Sequence, residues 1–167
     1  MNVSPPVDIK HAMADNKRTV DLVTPPADHA VVVMEAAGYW AAALRSLLSD
    51  PPVRIVQTRS RPECLETVAR LPGCLVVVEI ARADIDRGLD LLAELDEHRG
   101  SVPAIVAADC ECKNYQWLAR QLGAVDFVTN TRSLRRVAPI ARRHFAAQPP
   151  VARSDVERTL AKLPWGE

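Results

Sequence analysis

The sequence has 167 residues, 48% of them hydrophobic, and its 21 Lys and Arg balance 21 Asp and Glu, giving a formal net charge of zero. That length suits one core of about 100 to 150 residues plus tails, and the charge balance excludes a chain-wide nucleic-acid footprint and an acidic disordered chain. The least polar window, Ala30 to Leu44, is interrupted by Glu35 and is too short to span a bilayer, and no basic start followed by an apolar run opens the sequence, so a soluble, cytoplasmic protein is expected.

Residues 1–28 contain Ser4-Pro-Pro, Asp15-Asn-Lys and Thr24-Pro-Pro without a sustained apolar period, which predicts a flexible leader. A folded unit is expected over 29–147. Ala30–Met34 reads as a first strand, and Trp40, Leu44, Leu47 and Leu48 then fall on one stripe of a helix. Val53–Val56 reads as the second strand, and Ser60-Arg-Pro-Glu63 matches a capping box ahead of a helix with Leu65, Val68 and Leu71 inward. Leu75–Val78 lacks polar alternation and suits a strand covered on both faces, with Glu79 emerging where the sheet stops. A helix from about Asp86 carries Leu89, Leu92 and Leu95 and ends at His98-Arg-Gly100. Pro103–Ala107 is the fourth strand, Tyr115–Leu122 the fourth helix, Gly123 its left-handed C-terminal residue, and Val125–Val128 the fifth strand. The last helix, from near Ser133, contains Pro139: it is either kinked or preceded by a short turn, with its real start near Ala138. Residues 148–167 read as a Pro-Pro linker and a short amphipathic tail, Ser154–Leu163.

Strands alternating with helices imply a doubly wound α/β domain: a five-stranded parallel sheet with helices on both faces. In such sheets function gathers at the carboxyl ends of the strands. Glu35, Glu79, Ala108 and Asn130 are expected at that edge.

Four segments, "VVVME", "LVVVEIARADIDRGLDLL", "VPAIVAAD" and "LGAVDFVTN", at this spacing resemble the receiver domain of two-component response regulators, over residues 30 to about 147. The resemblance implies a flavodoxin-like strand order of 2-1-3-4-5. It also implies an acid pair after the first strand, a phosphoacceptor Asp after the third, a Ser or Thr after the fourth and a Lys after the fifth. The matching positions here hold Met34 and Glu35, then Glu79, Ala108 and Asn130, a degenerate phosphoacceptor pocket. A thioether cannot replace a carboxylate in the hard-oxygen shell that Mg²⁺ requires. Asn130 supplies no cation to a phosphoryl group, and Ala108 has no hydroxyl. The extra methylene of Glu79 misplaces an in-line approach by roughly 1 Å, worth about 100-fold in rate. A pseudo-receiver outside the phosphorylation cycle is therefore expected, non-catalytic and without cofactor or metal. Glu79 itself has two readings, a permanent imitation of the phosphorylated state with Arg82 or Arg59 as partner, or a solvated relic. Phe127 matches the family's aromatic switch position and reads as buried core.

From Phe127 to Ser154 there is no acid, while Arg132, Arg135, Arg136 and Arg143 share much of one side when drawn on a single helix. With Tyr115 and Trp117 as apolar anchors, that surface of the fourth and fifth helices is the expected site for a protein partner or a second copy. No nucleic-acid module accompanies it, so nucleic acid is disfavoured, and no membrane contact is expected. An alternative is a small-molecule-binding flavodoxin-like domain that uses the strand-end crevice. A redox sensor built on Cys110 and Cys112 ranks third; the bland reading is two loop thiols, since Cys-x-Cys lacks a second ligand cluster for zinc. Cys64 and Cys74 read as buried, and His11, His29, His98 and His144 as exposed and outside any triad. "MEAAGYW" has one glycine where a dinucleotide fingerprint needs three.

Overall fold

In the computed structural model, residues 29–50, 52–99 and 102–148 are described. The expected leader and the tail from residue 149, with the amphipathic piece, lie outside the described residues.

Five strands, β1 (Ala30–Met34), β2 (Arg54–Thr58), β3 (Leu75–Ile80), β4 (Ala104–Ala108) and β5 (Ala124–Val128), alternate with five helices. These are α1 (Tyr39–Leu47), α2 (Arg61–Arg70), α3 (Ile85–Arg99), α4 (Gln116–Gln121) and α5 (Val137–Ala146). The sheet is parallel throughout, in the order β2-β1-β3-β4-β5. Alternate residues of the central strands feed two separate cores. Val32, Met34, Val76 and Val78 meet α2, α3 and α4 through Val68, Leu91, Leu95 and Ala119. Val31, Val33, Leu75 and Val77 meet α1 and α5 through Trp40, Leu44, Ala141 and Phe145. A strand buried on both faces needs apolar residues in succession, which is why β1, β3 and β4 show no alternation.

Local signals place most of the boundaries. Ser60 caps α2 by accepting the Glu63 N–H at 3.3 Å, while the Glu63 carboxylate takes the Arg59 N–H at 2.8 Å, one residue earlier than in the standard capping box. Gly123 has φ of 83°, the left-handed turn expected after α4, and a Cβ there would come within 2.7 Å of Asp96 Oδ1. Several elements differ from expectation. β2 is an edge strand that runs on through half-buried Gln57 and buried Thr58, polar positions that an apolar pattern does not mark. The region before α4 winds first as a 3-10 helix, Cys110–Tyr115, leaving α4 only six residues. Ahead of α5 the second of the two expected arrangements holds: Ser133–Arg136 forms a short 3-10 turn, so Pro139 falls in the first turn of α5, where its missing N–H has no helical partner to lose. In β5, Val125 is an extra residue: Ala104 pairs with Ala124, but Ile105 pairs with Asp126. No helix of the described residues is long and apolar enough to cross a membrane.

Candidate functional site at the carboxyl edge of the sheet

Glu35 follows the last residue of β1, is fully buried and points its carboxylate into the start of α1. The N-cap of α1 is Gly38, at φ of 86° and without a side chain to cap the helix. Glu35 does that work from outside: its Oε2 accepts the Trp40 N–H at 2.7 Å and its Oε1 the Ala41 N–H at 2.8 Å. An anion closed on two orphan amides at the positive end of a helix is held by both hydrogen bonding and the helix dipole.

Glu79 lies within β3, paired with Ala107, one residue before the strand ends. The sheet therefore continues past it, contrary to expectation, because β4 still pairs through Ile80 and Ala108. Its Oε2 accepts the Ala36 N–H at 2.7 Å, tying the loop after β1 to the middle of the sheet. Of the two cations considered as its partner, Arg82 is paired elsewhere. Arg82 Nη1 lies 2.7 Å from Glu111 Oε2, linking the loop after β3 to the 3-10 helix after β4, and the Arg59 backbone carbonyl accepts from Arg87.

Met34 is buried in the α2, α3 and α4 core, and Ala108 is the buried last residue of β4. Asn130 turns its side chain onto its own loop, Oδ1 accepting the Ser133 N–H at 2.8 Å, while the Ser133 hydroxyl donates to the Asn130 carbonyl at 2.7 Å. Phe127 is buried in the same core as Met34.

The receiver resemblance implies a divalent cation at this edge. The residues present do not fit one. Mg²⁺ requires near-octahedral oxygen ligation, whereas Glu35 is buried against amides and Met34 faces the core. Among the described residues no group of three His, Cys, Asp or Glu side chains is placed to hold a metal ion. Beside the carboxylates, a cleft of about 380 Å³ is lined by Tyr39, Trp40, Asp109, Cys110, Glu111, Thr129 and Asn130, and neither Glu35 nor Glu79 lines it.

No protein-family model matches the sequence, and no curated protein matches it. Solved structures do. The receiver domain of NtrX from Brucella abortus is 20% identical with a TM-score of 0.57, covering 71% of this chain and 99% of that one. The receiver domain of TorR, the response regulator of a TMAO respiratory system, is 22% identical with a TM-score of 0.58, covering 71% and 97%. The chain has the fold of a response-regulator receiver domain. A longer Brucella abortus NtrX structure matches at 18% identity and a TM-score of 0.57, and there the match covers 80% of this chain and 28% of that chain.

Elsewhere the receiver fold separates residues that the sequence grouped. Arg136 lies 2.5 Å from Oδ1 of Asp126, which Arg120 also approaches at 3.4 Å. Asp126 is buried and was not singled out from sequence, although it stands immediately before the acid-free stretch. Its Oδ2 has no hydrogen-bond partner. The common basic stripe is not continuous, since residues of a 3-10 helix advance by about 120° rather than about 100° and Arg135 and Arg136 belong to such a helix. Arg132, Arg135 and Arg143 are exposed, Tyr115 is half-buried against the core, and Trp117 is 67% exposed. The cysteines also divide. Cys110 is exposed, whereas Cys112 is packed in the core, and burial pushes its thiol pKa up, helped by Asp109 and Glu111. One thiol faces the cleft and its neighbour the interior, so the two-loop-thiol reading fails for Cys112. Cys64 and Cys74 are buried as expected. His29 and His144 are half-buried rather than exposed: His29 stacks on Phe145 at 4.6 Å between ring centres, and His144 Nε2 is 2.9 Å from the Gly73 carbonyl oxygen.

Proposed function

We propose that the chain is a pseudo-receiver, a non-catalytic signalling module that keeps the receiver fold without the phosphorylation cycle and acts by binding a protein partner. One observation carries this reading: the carboxylate matching an acid of the metal pair is used as the cap of α1. Glu79 adds to it, as a tether on the Ala36 amide at 2.7 Å. A carboxylate engaged with backbone amides is both a poorer nucleophile and a poorer metal ligand than a solvated one. Incubation with acetyl phosphate and Mg²⁺, followed by intact-mass measurement, is expected to leave the mass unchanged. An acid-labile phosphoryl adduct on Glu79 would overturn the proposal.

The partner surface we assign is the α4 and α5 side, with Trp117 as its anchor and Arg132, Arg135 and Arg143 around it. A two-thirds exposed indole on a six-residue helix supports that choice, since large aromatic side chains supply much of the energy at interfaces. Tyr115 contributes by supporting α4 from the core side, and Arg136 by holding Asp126. Pull-down with the intact chain is expected to lose its captured protein on Trp117→Ala or on joint reversal of Arg135 and Arg143 to Glu, and to keep it on Arg45→Glu on α1. Equal capture by all forms would remove this face from the proposal.

A second reading draws on the cleft beside Tyr39, whose ring is 56% exposed at its mouth: a small polar ligand binds there. A thermal-shift screen with nucleotides tests it, and a flat response counts against it.

A further inference from the structure

From α4 to the end of α5 the chain carries far more positive than negative charge: residues 116–148 contain six arginines and a single acid, Asp126. That acid lies on the edge strand β5, and its side chain is only 5% exposed. Both of its contacts run through one oxygen. Arg136 Nη2 lies 2.5 Å and Arg120 Nη2 3.4 Å from Oδ1, while Oδ2 has no hydrogen-bond partner. One guanidinium neutralises one carboxylate, so this group of three keeps a surplus positive charge. The two Nη2 atoms share an oxygen and are therefore no more than about 6 Å apart, the sum of the two distances. Like charges held that close repel, and a second anion relieves the repulsion.

The donors for a second anion are present. A guanidinium has five N–H donors in a planar fork that grips a carboxylate through two parallel bonds. Neither arginine uses that fork on Asp126, because each gives one donor to the same oxygen, and neither side chain makes another hydrogen bond among the described residues. Both are half-exposed, so a ligand has access. Trp117 precedes Arg120 by three positions on α4, which makes the two side chains neighbours on one face of that helix, and its indole is two-thirds exposed. Arg136 comes from the 3-10 helix on the far side of β5, so only the folded chain assembles the group.

We propose that Arg120 and Arg136, positioned by Asp126, form an oxyanion site that takes a carboxylate of an acidic partner segment, with Trp117 packing against that segment. The site rests on the assignment of the α4 and α5 side as the partner surface and adds the partner's chemistry to it. Charge complementarity selects the occupant: a carboxylate-bearing segment supplies the missing anion, whereas a neutral or basic one leaves the surplus in place.

The test titrates the full chain, nitrogen-labelled, with hexaglutamate at low salt and follows the Nε–H signals of the arginines and the indole N–H of Trp117. Saturable shifts of Arg120, Arg136 and Trp117 are expected, and hexaglutamine should produce none. Arg120→Gln and Arg136→Gln should each weaken binding by about fivefold or more, and Arg45→Gln on α1 by less than about twofold. Unchanged β3 amides verify folding, and Arg120→Gln, which removes the longer contact, carries the test where Arg136→Gln does not fold. The absence of saturable shifts overturns the proposal, as do equal losses in all three variants, which describe a diffuse charge effect, or equal shifts with hexaglutamine. Inorganic phosphate binding as tightly as hexaglutamate also overturns it, by assigning the site to a free anion. The partner-surface reading fails separately, through a pull-down in which every form captures equally whatever the peptide does.

Discussion

Replacing Glu35 by Gln keeps the shape of the side chain and removes its charge, so it isolates the cap of α1. In the native protein two oxygens accept two backbone N–H groups at 2.7 and 2.8 Å. Gln retains one acceptor and turns an NH₂ towards the other amide. The loss is one charge-assisted bond, about 1.5–3 kcal/mol, and it leaves a buried donor facing a donor, about 1–3 kcal/mol, contributions that overlap rather than add in full. Loss of the charge at the helix start adds a few tenths more. Together these predict destabilisation of about 2–4 kcal/mol. Domains of this size unfold with urea slopes of about 1–3 kcal/mol per molar, so the midpoint should fall by about 1–2 M, with faster hydrogen exchange at Trp40 and Ala41. The opposing outcome is clear-cut: a change below about 0.5 kcal/mol, together with a rise in wild-type stability on adding Mg²⁺ that the variant lacks, would make Glu35 a ligand rather than a cap and refute the reasoning.

Arg136→Met should destabilise by about 1–2 kcal/mol by stripping a buried carboxylate of its nearer cation, the usual buried-pair cost being discounted because the guanidinium is half-exposed, while Arg135→Met should change stability by less than about 0.5 kcal/mol; equal effects in urea unfolding would remove the Asp126 clamp. Gly88→Ala should cost about 1–3 kcal/mol, because a Cβ on α3 would come within 2.8 Å of the Glu79 carbonyl oxygen and 2.7 Å of Ile80 Cγ1, and an unaffected thermal midpoint would contradict that packing. Thiol labelling at neutral pH should modify Cys110 first, with Cys112 and Cys64 reacting only on unfolding; early labelling of Cys112 would place it outside the core. Burial, opposed in part by a hydrogen bond with Thr58, pushes the Cys64 thiol from 9.0 to about 11. Its contribution to stability is therefore complete below about pH 9 and is lost as pH rises towards 11, because the unfolded thiol releases its proton first; the loss amounts to about 2–3 kcal/mol. Cys64→Ala should flatten that part of the stability curve, and an unchanged slope would refute the assignment.

What could be read from the sequence was whatever depends on neighbours in the chain. Uninterrupted apolar runs gave the central strands, the spacing of Trp40, Leu44 and Leu48 gave α1, Ser60 and Glu63 gave the start of α2, and Gly123 gave the end of α4. The edge strand β2 is longer than expected because half-buried Gln57 and buried Thr58 carry no apolar signal, and the 3-10 helix before α4 is not legible because its spacing differs from that of the α-helix by too little to show over six residues, whereas Pro139 did signal the turn before α5. Residue identity, through the receiver resemblance, also led to the expectation of an edge without the full acid pair, hydroxyl and Lys of a receiver.

The partners of those residues were decided in three dimensions. Glu79 meets the Ala36 amide 43 positions away, and Arg82 meets Glu111 29 positions away, because parallel pairing of β1, β3 and β4 brings the three following loops to one edge. A side chain's composition states which bonds it can form, but the choice among many possible donors is made by register and burial, which local sequence does not encode. Glu35 shows the difference most plainly: the sequence supplied an acid after a strand, and only the packing of α1 onto the sheet buried that acid and made it a helix cap.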